Sequence, residues 1–143
     1  DEITRQLRFD IPLLSQRLSG VVDQLSSDAR LHDLRIGLFG SSTGAAAALT
    51  TAASRPADIA AVVSRGGRVD LADLSLARVK AASLFLVGSG DLEVLELNRA
   101  AAARLQCVHQ LVVVPGATHL FEEHGTLEEV ARLAGDWFLR HLC

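Results

Sequence analysis

Apolar residues recur along this chain in two rhythms. Between Asp10 and Leu25 they stand at Ile11, Leu14, Leu18, Val21, Val22 and Leu25, three or four apart, and this spacing predicts an amphipathic helix packed on one face. Asp10 is suited to cap it, and Pro12 falls in the first turn, where a missing N–H costs nothing. Short continuous apolar runs then take over at residues 34–39, 59–63, 83–87 and 110–114. Each is too short for a helix and reads as a strand buried on both faces. Between them, residues 42–54 read as a helix ending before Arg55-Pro56, residues 64–80 as a longer polar connection, and the stretch from Asp91 to about Leu105 as another helix. A last helix is predicted over residues 125–141. Its inward face is Leu127, Val130, Ala134, Trp137 and Phe138, and Thr126 with Glu129 resembles a capping box.

Strands separated by helix-length segments imply parallel pairing, because right-handed crossovers lay the helices over the faces of the sheet. The expected fold is α/β: a parallel sheet of about four strands with helices on both faces. No linker, repeat or low-complexity tract divides residues 1–143, which read as one domain. The chain starts at Asp1 rather than methionine, so a processed product or a fragment whose upstream part is missing is expected.

With 143 residues, 49% of them hydrophobic, the chain can bury a core. A net charge of -3, one lysine (Lys80) and no basic run argue against nucleic acid or an anionic membrane as partner. No stretch approaches the roughly 20 apolar residues of a membrane span, and the first residues do not form a signal peptide, so a cytoplasmic setting is expected. Cys107 and Cys143 lie far apart without a CxxC or Cys/His cluster. Neither a metal site nor a disulfide framework is expected, with Cys107 a buried small hydrophobe and His32, His109 and His141 facing solvent.

One segment changes this picture from fold to chemistry. Gly40-Ser41-Ser42-Thr43-Gly44 lies between a predicted strand and a predicted helix, the context of a nucleophile elbow, where small neighbours let the chain reverse beneath a protruding hydroxyl. Only Ser42 has glycine two residues before and two after. In a parallel sheet the strand carboxyl ends share one edge, which also gathers Asp91, after the third strand, and His119, in Pro115-Gly116-Ala117-Thr118-His119 after the fourth. A serine nucleophile needs a neutral imidazole, and the imidazole needs a carboxylate to fix its tautomer. Asp70, Asp73 and Glu93 compete for the acid, and His124 for the base. Asp91 could instead cap the helix after it, and the elbow could be a turn that caps a helix or binds an anion. The Thr43 backbone N–H is a candidate oxyanion donor. Arg65 and Arg68 are candidates to receive a substrate carboxylate, or form ordinary salt bridges. No cofactor is called for.

Residues 35–44, Val87-Gly88-Ser89-Gly90-Asp91 and Pro115-Gly116-Ala117-Thr118-His119-Leu120-Phe121 resemble the three catalytic segments of α/β-hydrolases, nearest the dienelactone hydrolase-like branch. The segment 62–68 and Asn98-Arg99 further resemble hydrolase domains sometimes fused behind a phosphoribosyltransferase domain. The resemblance implies Ser42 as nucleophile, Asp91 as acid and His119 as base, acting on an ester, lactone or thioester of a small acyl group. Dienelactone hydrolases proper carry cysteine at the position of Ser42. The superfamily also has several strands before the first helix predicted here, and a loop among them gives a second oxyanion donor, so the chain matches the C-terminal half of the fold. The other expectation is a weakly active or inactive hydrolase-like fragment that serves as an association module. The edge of its first strand would be covered by a second copy, as a homodimer, or by the N-terminal segment.

Overall fold

The four apolar runs pair in chain order into one parallel sheet. The computed structural model describes residues 6–143. Its elements are helix α1 (Ile11–Ser27), strand β1 (Ile36–Ser41), helix α2 (Thr43–Ser54), strand β2 (Ile59–Arg65), a 3-10 segment (Val69–Arg78), strand β3 (Ala82–Gly88), helix α3 (Leu92–Ala102), strand β4 (His109–Val114) and helix α4 (Thr126–Leu142). Asp10 caps α1 as predicted, its Oδ1 accepting the Leu13 N–H at 3.0 Å.

Register puts the strand ends in line: Ser41 pairs with Arg65, Arg65 with Leu86, and Gly88 with Val114. Consecutive parallel strands with right-handed crossovers place their connecting elements on one face. There α2, the 3-10 segment and α3 pack with α1 around Leu38, Ala45, Leu49, Val62, Leu76 and Phe85. The run Ala45 to Ala48 is buried throughout, so α2 lies close to the strands with little side chain between. The other face is covered by α4, whose Val130, Ala134 and Trp137 meet Ala61, Val63, Leu84 and Leu86. Trp137 Nε1 donates to the Ala82 carbonyl at 3.0 Å, satisfying the one polar atom of a buried indole.

Several local expectations are corrected. β1 begins two residues late and continues through Ser41, because backbone turns hold residues 28–34 (His32 N–H to Asp28 O, Leu34 N–H to Leu31 O). Leu34 is left 63% exposed. The polar connection 64–80 contains the end of β2 and the 3-10 segment, which buries Val69, Ala72 and Leu76. α3 stops at Ala102 because its last turn tightens: the Arg104 and Leu105 N–H groups reach back three residues. The capping box does not form. Gly125, with φ 81°, precedes α4, Thr126 Oγ1 donates to the Glu123 carbonyl, and Glu129 pairs with Arg132. Cys107 is half-buried, and so is His141, whose ring lies 4.3 Å from that of Trp137.

β1 pairs only with β2 among the described residues. Its other edge borders an apolar groove lined by Leu14, Leu18, Val21, Phe39 and Ala47, with Phe39 51% exposed. No helix among the described residues is long and apolar enough to cross a membrane.

Candidate active site

At the carboxyl edge of β1 the chain passes from strand to helix through a single residue. Ser42 takes φ 51° and ψ -125°, a conformation L residues rarely adopt. A Cβ on Gly40 would stand 2.5 Å from the Gly44 carbonyl oxygen and 2.7 Å from the Ala45 nitrogen, so the returning helix requires glycine there. A Cβ on Gly44 would meet nothing within 4 Å, so only the first glycine of the motif is demanded by space. The Ser42 carbonyl accepts the Ala45 N–H at 3.2 Å and the Arg68 N–H at 2.9 Å. Thr43 is the first residue of α2, so its N–H has no acceptor within the helix and can serve an anionic oxygen.

Asp91 precedes α3, yet its side chain makes no capping hydrogen bond. One carboxylate oxygen, Oδ2, lies 2.7 Å from His119 Nδ1. Asp91 is 13% exposed at the side chain and His119 41%, so the carboxylate is sheltered while the ring reaches the surface. The competing acids are placed otherwise. Asp70 takes both arms of Arg68 at 3.0 and 2.9 Å, and Asp73 binds Arg104 at 3.2 Å. Glu93 borders the same cavity as Asp91, and His124 is exposed.

The loop after β4 is fastened to the loop after β3. The Ser89 N–H donates to the Val114 carbonyl at 3.0 Å, the Gly90 N–H to the Ala117 carbonyl at 2.9 Å, and the Gly116 N–H to Ser89 Oγ at 2.8 Å. A Cβ on Gly88 would overlap the Ala117 carbonyl oxygen. Below His119, Phe121 is buried, with the Arg65 guanidinium 5.5 Å from its ring centre. Glu123 closes the loop by accepting the Thr118 N–H at 2.9 Å and the Thr118 hydroxyl at 2.7 Å.

These two bonds, the backbone N–H first, hold the Glu123 carboxyl below its ordinary pKa. A depressed carboxylate contributes stability above its unfolded pKa, about 4.3, and loses it as pH falls through the folded value. Glu123→Gln is therefore expected to lower the melting temperature at pH 6 and to narrow its gap from wild type as pH drops below about 4. Thermal melts from pH 3 to 6 test this, and a gap constant with pH would refute it.

Ser42, Asp91 and His119 line one cavity of about 270 Å³ together with Arg68, Glu93, Phe9, Val94 and Leu97. Ser42 and His119 border it without a hydrogen bond between them, and such contacts often tighten only around substrate. Arg68 faces the cavity while its guanidinium stays on Asp70, which raises its pKa further. Arg65 is not among the lining residues. Its Nε is buried with no partner among the described residues. Phe9, Val94 and Leu97 were not singled out from sequence. Val94 and Leu97 are three apart on α3 and could have been read as a stripe, whereas Phe9 carries no periodic signal. No group of three or more His, Cys, Asp and Glu side chains among the described residues could hold a metal ion.

No protein-family model matches the chain. Over all 143 residues it is 54% identical to a protein named as a phosphoribosyl transferase in two strains of Mycobacterium tuberculosis, CDC 1551 and H37Rv. The chain spans 32% of the length of those relatives. A crystal structure of dienelactone hydrolase from Anabaena variabilis superposes with a TM-score of 0.96 at 51% identity, over 98% of this chain and 65% of that one. The esterase domain of a Rhodothermus marinus protein gives 0.76 at 19% identity, over 90% of this chain and 69% of that one. A Paleococcus ferrophilus monoacylglycerol lipase gives 0.74 at 17%, over 92% and 76%. These last two show the fold alone. By its fold and its 51% identity to that dienelactone hydrolase, the chain is a parallel α/β domain similar to the α/β-hydrolases, and to dienelactone hydrolase among them.

Proposed function

We propose that the chain is a serine hydrolase acting on an ester, lactone or thioester of a small acyl group. The observation that carries this reading is the 2.7 Å bond between Asp91 Oδ2 and His119 Nδ1, at a cavity that also holds the Ser42 elbow. Asp91 accepts a hydrogen bond from Nδ1–H and keeps the proton there, so Nε2 is left free to take the proton of Ser42. The Ser42 oxygen then attacks the acyl carbonyl, and the carbonyl oxygen becomes an anion facing the Thr43 N–H. His119 returns the proton to the leaving group, and a water activated by the same nitrogen releases the acid. A cavity of about 270 Å³ suits a short acyl chain, for which Phe9, Val94 and Leu97 supply apolar contact.

A fluorophosphonate probe tests this directly. One adduct is expected, mapped by peptide mass spectrometry to Ser42; labelling elsewhere, or none, would reject the reading.

A second reading, association through β1, is favoured by the strand edge that pairs with nothing among the described residues and by the groove beside Phe39. The occupant would be a second copy or an N-terminal segment pairing with that edge. Sedimentation should show dimers of the isolated chain, and a monomer at every concentration would leave the second-copy form without support.

A further inference from the structure

We infer that Asn98 is a positioning residue of this site: its side-chain amide ties down residues 66–68, a strap that lies beside His119 at one end and holds the Ser42 carbonyl at the other. The inference rests on the serine hydrolase reading and extends it to a residue outside the cavity.

Asn98 lies two turns beyond Asp91 on α3 and is 0% exposed. One of its amide hydrogens returns to the Val94 carbonyl at 2.8 Å, within its own helix, and the other crosses to the Gly67 carbonyl at 2.9 Å. Its Oδ1 is buried with no partner among the described residues. A helix that needed only to pack would be better served here by leucine, since an unpaired buried acceptor is costly. The bond to Gly67 is what distinguishes asparagine at this position.

Each residue of the strap has its own contact. Gly66, at φ 54°, faces the base: its absent Cβ would stand 3.4 Å from the His119 carbonyl oxygen and 3.5 Å from His119 Nδ1. Gly67 is wedged, for a Cβ there would overlap Ser64 Oγ and come 2.5 Å from Ala45 Cβ. Arg68 donates its N–H to the Ser42 carbonyl at 2.9 Å. The strap is thus walled by β2 and α2 and fastened to α3 by Asn98. The helix that begins with the His119 partner therefore also fixes the segment bracing the strained nucleophile. Without the Asn98 bond, the Arg68 N–H can withdraw from Ser42, and the elbow can relax away from its positive φ. A misplacement of about 1 Å costs on the order of a hundredfold in rate.

The test compares Asn98→Leu and Asn98→Ser with wild type. Serine can still donate to the Val94 carbonyl, as helical serines do, but is too short to reach Gly67. It therefore decides the matter if the leucine variant does not fold. Three quantities are read: fluorophosphonate labelling rate, kcat and KM on a short p-nitrophenyl ester, and NMR hydrogen exchange of the Arg68 amide. Labelling and kcat should fall about tenfold to a hundredfold with KM changed less than about twofold, and Arg68 exchange should accelerate about tenfold. Trp137→Phe removes a buried hydrogen bond on the opposite face and controls for general destabilisation; its three readings should match wild type. Folded Asn98 variants within about twofold of wild type in labelling rate, or an equal loss in Trp137→Phe, overturn the inference. If wild type takes no label, the hydrolase reading fails, and Arg68 exchange alone decides the tether: unchanged exchange in Asn98→Ser refutes it.

Discussion

Ser42→Gly is expected to abolish ester turnover and to make the protein more stable. In triads of this kind, removing the nucleophile alone costs about 10⁶ in kcat, so turnover of a short ester should fall to what the remaining donors and binding contacts provide. Stability should move the other way because of the backbone. Ser42 is held at φ 51° and ψ -125°, and such residues store on the order of 1–3 kcal/mol of strain. Glycine takes this conformation without penalty, while its greater freedom in the unfolded chain returns about 0.5–1 kcal/mol of the gain. The net expectation is stabilisation of about 1 kcal/mol, visible as a higher urea midpoint. Ser42→Ala supplies the contrast, because it keeps the Cβ and the strain while losing the hydroxyl. It should be equally inactive and gain nothing. Equal midpoints for the two variants would mean that the elbow stores no strain.

The residues legible in the sequence are those whose position follows from the sheet. Parallel strands bring their carboxyl ends to one edge, so the sequence alone places any residue just past a strand. Ser42, Asp91 and His119 all meet that condition, and they line one cavity. Asp91 was open to a competing role as helix cap, but its carboxylate makes no capping bond and turns to His119 instead. The roles that the sequence leaves open run through contacts with no period and no motif. Gly66, Gly67 and Arg68 lie in what reads as a polar connection, and their use depends on which elements fold against them. Asn98 looks like one more polar residue on a helix until its burial is known. Glu123 stands in the sequence as one of two adjacent acidic residues with no period to place it, yet it binds the two donors of Thr118. Thr126 and Glu129 show the opposite error. Their spacing fits a capping box, but Glu123 and Arg132 claimed the two side chains.

Asp91→Asn should cost about 10⁴-fold in kcat while leaving the fold nearly untouched. The substitution preserves shape and changes which atoms carry hydrogen. The carboxylate accepts at His119 Nδ1 over 2.7 Å and so keeps the proton on that nitrogen. An amide can turn its NH₂ toward Nδ1, which then becomes the acceptor and moves the ring proton to Nε2. An Nε2 that already carries a proton cannot take one from Ser42. The amide also gives no charge to balance the imidazolium formed as the serine attacks. The helix-cap role makes a different forecast, since asparagine caps helices about as well as aspartate. Loss of one negative charge at the start of α3 should cost at most about 1 kcal/mol. The decisive measurement is therefore kcat set beside the urea midpoint. A large fall in kcat with a nearly unmoved midpoint assigns Asp91 to the orientation of His119. A fall of less than about tenfold would return Asp91 to a structural role and remove the acid from the proposed mechanism.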